Sequence, residues 1–191
     1  MSASEAGTTG VSVSELRSAL PELKAGRQVL LSGVLFTARD AAHARLRSML
    51  DSGEPPPFDI RGAVIYYTGP TPGGMRPVGS CGPTTSGRMD VFTPRLYDLG
   101  LLATIGKGER SAAVREAVVR NNGVYLCAVG GAGALIAKHV VSVEEIAFPE
   151  LGCESIKRMT VESMPLIVGI DSSGGDLFET GRKFYELRIE N

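Results

Sequence analysis

Nothing in the 191 residues approaches the roughly 20 consecutive apolar positions of a membrane-crossing helix. The opening MSASEAGTTG has neither the basic flank nor the apolar run of a secretory signal, so a cytoplasmic protein is expected. Net charge is also nearly absent. The 20 Lys and Arg are offset by 21 Asp and Glu with the signs interspersed, and no basic stripe studded with aromatics is present to grip nucleic acid. There are only two histidines and three cysteines. Cys81, Cys127 and Cys153 are spaced too widely for a zinc site or an iron-sulfur run, so the expectation is buried free thiols and no metal bound by this chain.

What the chain has in excess is glycine, 24 residues against a usual ~7%, gathered in GPTPGG, GSCGPTTSG, IGKG, VGGAG and SSGG. Between these turns lie apolar runs. QVLLSGVLFTA, residues 28 to 38, reads as a buried strand, and ARDAAHARLRSMLDSG as a helix with Ala42, Leu46, Met49 and Leu50 at helical spacing and Gly53 as its stop. GAVIYY and a short MRPVGSCG read as strands. In TPRLYDLGLL, Thr93 fits an N-cap, Pro94 the first helical position and Gly100 the stop. A short strand in ATI leads through a Gly-rich turn to a helix burying Val114, Ala117 and Val118. VYLCAV, HVVSVEEIAF, RMTVES and LIVGID complete the strands, and a short helix follows GGAG. SELRSALPEL is a helical turn or an extended arm. This order implies a single α/β domain with a mixed sheet and flanking helices over residues 11 to 191, after a flexible first ten.

Two glycine-rich stretches resemble phosphate loops without being them. GLLATIGKG has five residues between its glycines where a P-loop has four, and Gly follows its Lys. AVGGAGAL lacks the third glycine of a dinucleotide fingerprint, and close backbone packing is its expected role. A nicotinamide-dependent oxidoreductase is therefore a distant reading.

The densest chemistry lies in GSCGPTTSGRMD: a Gly-Pro turn, the hydroxyls of Thr84, Thr85 and Ser86, and the planar fork of Arg88. Arg39, Arg88 and Lys107 each follow a strand-like run. Loops at the same ends of strands converge in an α/β sheet, so three distant cations can meet on one anion, and a dicarboxylate would explain all three. Asp40 and His43 share the Arg39 junction. The alternative is three surface pairs, Arg39 with Asp40, Arg88 with Asp90 and Lys107 with Glu109.

Taken together, LLSGVLFTARDAAHARL, YYTGPTP, GSCGPTTSGRMD, LGLLATIGKGERS, GVYLCAVGGAGALIA and LGCESIKRMTVESMPLIVGIDSSGGDLF resemble the β subunit, or C-terminal domain, of the iron-sulfur class I fumarate and tartrate hydro-lyases. The resemblance covers about residues 25 to 178. It implies a swivelling β/β/α domain completing a substrate cleft with a separate α subunit that holds a four-iron four-sulfur cluster, in a hetero-oligomer. It also implies substrate contacts from Arg39, Gly82, Thr84, Thr85, Arg88 and Lys107, with catalytic roles for Thr84 (proton transfer beside the carboxylate) and Lys107. Cys153 in LGCESI stands where proline is expected. The expected reaction is fumarate to malate, with L(+)-tartrate to oxaloacetate as the nearest rival and a stand-alone carboxylate-binding protein as the reading from another class.

Overall fold

The computed structural model describes residues 8–189, with side chains to residue 186. Seven strands are joined in one sheet: β1 (Thr9–Ser12), β2 (Gln28–Thr37), β3 (Val64–Tyr66), β4 (Ala103–Gly106), β5 (Val124–Cys127), β6 (Val140–Ala147) and β7 (Ile156–Ile170). Strands β2, β3, β4 and β5 run parallel, each paired with the next. The long β7 lies antiparallel to both β5 and β2, which closes these five strands into a barrel-like ring. β1 extends β2 in parallel and β6 extends β7 antiparallel.

Both faces of β3, β4 and β5 are covered, which is why these strands read as continuous apolar runs, whereas β2 and β7 alternate between buried and more exposed positions. One face packs Leu31, Leu35, Val64, Tyr66, Ile105 and Leu126 against Met159, Val161 and Val168 of β7. The other presents Ile65, Tyr67 and Tyr125 to three helices, α2 (Asp40–Ser52), α3 (Thr93–Asp98) and α4 (Ala112–Arg120). The other α-helices among the described residues are α1 (Leu16–Ala19), α5 (Gly133–Ile136) and α6 (Leu177–Ile189). No helix among the described residues is long and apolar enough to cross a membrane.

Several expectations change. Thr9 and Gly10 are strand, not a flexible lead, whereas residues 1–7 lie outside the described residues. MRPVGSCG is not a strand: Thr71 and Ser80 pair across a tight loop, and Gly79 N–H also returns to the Thr71 carbonyl. RMTVES and LIVGID are one strand. Ser163 takes φ of 50° within it, and Pro165, opposite Leu30 of β2, falls where neither β6 nor β5 pairs with the other edge of β7, the edge-like setting a strand proline tolerates. Thr93 begins α3 instead of capping it, and its hydroxyl turns inward to the Met89 carbonyl at 2.8 Å. Of the three free thiols only Cys81 is buried; Cys127 is half-buried and Cys153 exposed.

Candidate functional site

Parallel neighbours end at the same edge of a sheet, so the segments leaving β2, β3, β4 and β5 collect on one rim. Arg39 stands two residues past β2, Gly69 three past β3, Lys107 directly after β4 and Gly130 three past β5. The GSCGPTTSGRMD loop threads through this rim by backbone pairing. Thr84 N–H donates to the Tyr67 carbonyl at 2.7 Å, Lys107 N–H to the Thr84 carbonyl at 3.2 Å and Ser86 N–H to the Lys107 carbonyl at 2.9 Å, with Thr85 and Lys107 bridged in parallel. A Cβ on Gly106 would collide with Ser86 Oγ, so the absence of a side chain lets the loop lie directly on β4.

The other glycine-rich turn supports the same loop. A Cβ on Gly133 would stand 2.9 Å from Gly82 N, and Cys81 N–H donates to the Gly133 carbonyl at 3.2 Å. Close backbone packing is thus what VGGAG contributes. Gly82 in turn accepts from the Thr68 hydroxyl at 2.9 Å, which fixes the Gly-Pro turn leading into Thr84.

Arg39 precedes α2 as its N-cap, in extended backbone. Its side chain is only 23% exposed, yet its guanidinium makes no hydrogen bond among the described residues. Its contacts are two loose ion pairs, 3.5 Å from Nη2 to Glu154 and 3.9 Å from Nε to Asp40, and its buried Nε has no hydrogen-bond partner. Room for the fork comes from Gly69, where a Cβ would press on Arg39 Nη1 at 3.0 Å and on the Cys153 carbonyl at 3.2 Å. Glu154 also accepts the Ala41 N–H at 3.0 Å and so caps α2 from a distant turn. Among the described residues, half-buried Lys107 has no partner for its ammonium, and neither has the Thr84 hydroxyl.

The alternative of three surface pairs mostly fails. Arg88 is held by Asp40, with Nε to Oδ1 at 2.9 Å and Nη2 to Oδ2 at 2.8 Å, and not by Asp90. Glu109 pairs with Arg182 at 2.6 Å and not with Lys107. Only Arg39 touches its expected partner, and at 3.9 Å that is a weak contact. Thr85 is exposed on the loop, and its side chain bonds nothing among the described residues.

His43 is displaced from the rim chemistry. It is buried beneath α2's first turn, with Nδ1 2.8 Å from the Arg39 carbonyl and its ring against Tyr67 and Phe92. The carbonyl can only accept, so Nδ1 carries the proton. Burial, reinforced by the charge of Arg110 and only partly offset by the Arg39 carbonyl and Asp40, lowers its pKa to about 4. The ring is neutral at pH 7 and orients the Arg39 backbone. A cleft of about 250 Å³ between α2 and α3 reaches His43 but takes in none of Arg39, Thr84, Arg88 or Lys107.

Sequence reasoning missed the support beneath the rim. The side chain of Arg110 is fully buried, paired with Asp90 at 2.7 Å and stacked between the Tyr67 and Tyr125 rings at 5.3 and 4.8 Å. It also donates to the hydroxyls of Thr104 and Thr93. The Tyr125 hydroxyl donates to the Gly108 carbonyl at 2.8 Å and meets Ser86 Oγ at 2.9 Å, tying the Lys107 turn to the Arg88 loop. As for metal, no group of three His, Cys, Asp or Glu among the described residues could hold an ion. Burial raises the Cys81 thiol to about 11, so it is not a thiolate at pH 7. The described residues do not fit an iron-sulfur cluster.

The rim therefore offers two under-used cations and a free hydroxyl on rigid strand ends, an arrangement suited to a small carboxylate. Comparison with known proteins identifies the family. Residues 2–181 match the family model described as Fumarase C-terminus. The chain belongs to that family. Fumarate hydratase 2 of Leishmania major is 39% identical over 170 residues, 87% of this chain and 30% of that protein. The anaerobic class I fumarate hydratase of Escherichia coli K12 is 37% identical over 86% of this chain and 31% of its own. The chain thus spans about a third of the fumarate hydratases it matches. By contrast it covers 89% of a putative L(+)-tartrate dehydratase subunit beta of Methanocaldococcus jannaschii, at 38% identity. In this Fumarase C-terminus domain, the α/β class with a mixed sheet and flanking helices is as expected, and the sheet's closure is the added feature.

Proposed function

We propose that the chain is the β-type component of a class I iron-sulfur hydro-lyase that adds water to, and removes it from, a C4 dicarboxylate in the cytoplasm. Fumarate and malate are the leading pair. The observation that carries the reading is the Arg39 guanidinium, three-quarters buried yet without a hydrogen bond among the described residues, on the same rim as the unpartnered Lys107 and Thr84. A buried donor left unsatisfied is costly, and a substrate carboxylate would satisfy it.

Loss of water takes a proton from one carbon and hydroxide from its neighbour. Removing the proton beside a carboxylate builds charge on that carboxylate, and fixed cations lower this cost. In the proposal Arg39 and Arg88 hold the carboxylates through their forks and Lys107 adds a compact charge. The Thr84 hydroxyl exchanges the carbon-bound proton, and its backbone is locked at both ends by the Tyr67 carbonyl and the Lys107 N–H. Gly82 and Thr85 flank it on the same loop. The four-iron four-sulfur cluster belongs to a partner α subunit, where its chemistry is that of a Lewis acid at the substrate hydroxyl.

Tartrate dehydration is the second reading, because the chain has nearly the full length of subunits carrying that name. Both readings are tested by combining the chain with a cluster-bearing α subunit without oxygen and assaying malate and L(+)-tartrate side by side. Activity with malate at the higher kcat/KM supports the first, and with tartrate the second. Dicarboxylate binding by the chain with no turnover in any pairing would favour a carboxylate-binding protein.

A further inference from the structure

The two rim arginines differ in how they are held, and the difference assigns a role to Asp40. A guanidinium has two edges that can face a carboxylate, the side edge of Nε with Nη2 and the end edge of Nη1 with Nη2. Asp40 occupies the side edge of Arg88, at 2.9 and 2.8 Å. The end edge is left with hydrogens on both terminal nitrogens. Resting on the proposed function above, we propose that Asp40 is the positioning residue of Arg88: it does not touch substrate, but holds the guanidinium side-on so that the end edge faces a substrate carboxylate.

The surroundings suit this role. Arg88 is 52% exposed and sits on a single turn of 3-10 helix, so without Asp40 its long side chain would sample many rotamers. Asp40 is the more enclosed partner, 33% exposed, and is fixed in the first turn of α2, where a carboxylate also complements the helix dipole. Its Oδ2 lies 3.9 Å from Arg39 Nε as well, so one carboxylate sets the spacing between the two forks without saturating Arg39. Ordering Arg88 in advance removes a cost that the substrate would otherwise meet on binding. An opposite role, with Asp40 competing against substrate for Arg88, would require the same edge to serve both, and the end edge is free.

In the assembled enzyme, Asp40→Asn keeps the shape but loses the charge and the double acceptor. KM for the dicarboxylate should rise about tenfold, the order of an ordered long side chain, with kcat changed less. In an Arg88→Lys background, where the Arg88 fork is gone and only the loose 3.9 Å contact to Arg39 remains, the same Asp40→Asn change should have little further effect on KM. A purely structural role at the start of α2 predicts equal losses in both backgrounds and a matching fall in Tm, and that result would overturn the proposal. So would an unchanged or lowered KM. If Asp40→Asn fails to assemble, Asp40→Ser in the same cycle gives the same discrimination. A crystal structure of the Asp40→Asn chain separates this inference from the function it rests on: Arg88 still seated as in the parent refutes the positioning role whatever the activity, whereas Arg88 displaced with no hydro-lyase activity in any wild-type pairing refutes the function alone.

Discussion

Arg110 and Arg39 are a buried and a half-buried arginine, and they are held in opposite ways. Arg110 is enclosed with its donors used: Asp90, the hydroxyls of Thr93, Thr104 and Tyr67, and two aromatic faces. Arg39 is more open, 23% exposed, with only loose ion pairs to Glu154 and Asp40 and no hydrogen bond among the described residues. A buried charge with every partner in place belongs to the scaffold, because a broken pair in low dielectric is costly. One with hydrogen-bond donors left over is tolerated where a ligand can use them. The two regions touch through Tyr67, whose ring stacks on Arg110 and whose carbonyl holds Thr84.

The contrast breaks most readily at Arg110. Arg110→Met should destabilise the domain by about 3 to 5 kcal/mol by stranding Asp90, read as a large fall in the midpoint of denaturant unfolding. Arg39→Lys should do the reverse, leaving unfolding unchanged while kcat/KM of the assembled enzyme falls roughly 10² to 10³. Equal stability losses in the two variants would erase the distinction between them.

A smaller effect comes from His43. Its folded pKa, about 4, lies below the unfolded value near 6.5, so the unfolded chain takes up the proton first as pH falls. Stability is at its full value above pH 6.5 and declines toward pH 4, by about 2 kcal/mol at pH 5. Subtracting the unfolding profile of His43→Gln isolates this contribution, and a flat difference would mean that the ring is not held neutral. Smallest of all, Tyr125→Phe removes the hydroxyl joining Gly108 and Ser86 and should cost about 1 kcal/mol, with a larger proportional loss in kcat/KM than in stability.

The central strands were legible because burial on both faces leaves an unbroken apolar signature, as in VYLC, and β2 was legible by its density of Val, Leu and Phe in QVLLSGVLFT. Polar β1 carries no such signal, and SMP within β7 looks like a break because the gap between its neighbours cannot be read from composition. Arg39, Thr84, Arg88 and Lys107 were legible as loop residues following apolar runs, and the resemblance set them together. Their partners were not. Asp40 looked like a mate for Arg39, and Arg88 like a mate for Asp90, because local sequence favours near neighbours. The fold joins Asp40 chiefly to Arg88, with only a 3.9 Å contact to Arg39, and Asp90 to Arg110. Glu154 reaches Arg39 and Ala41 across more than a hundred residues, and nothing in LGCESI signals it.

Reconstitution tests most directly whether this rim is half of a dicarboxylate site completed by a cluster-bearing subunit. The purified chain should be iron-poor and inactive toward malate. Adding the cognate α subunit anaerobically should then produce fumarate at a rate that neither chain shows alone. Turnover by the isolated, iron-free chain would contradict the two-subunit site.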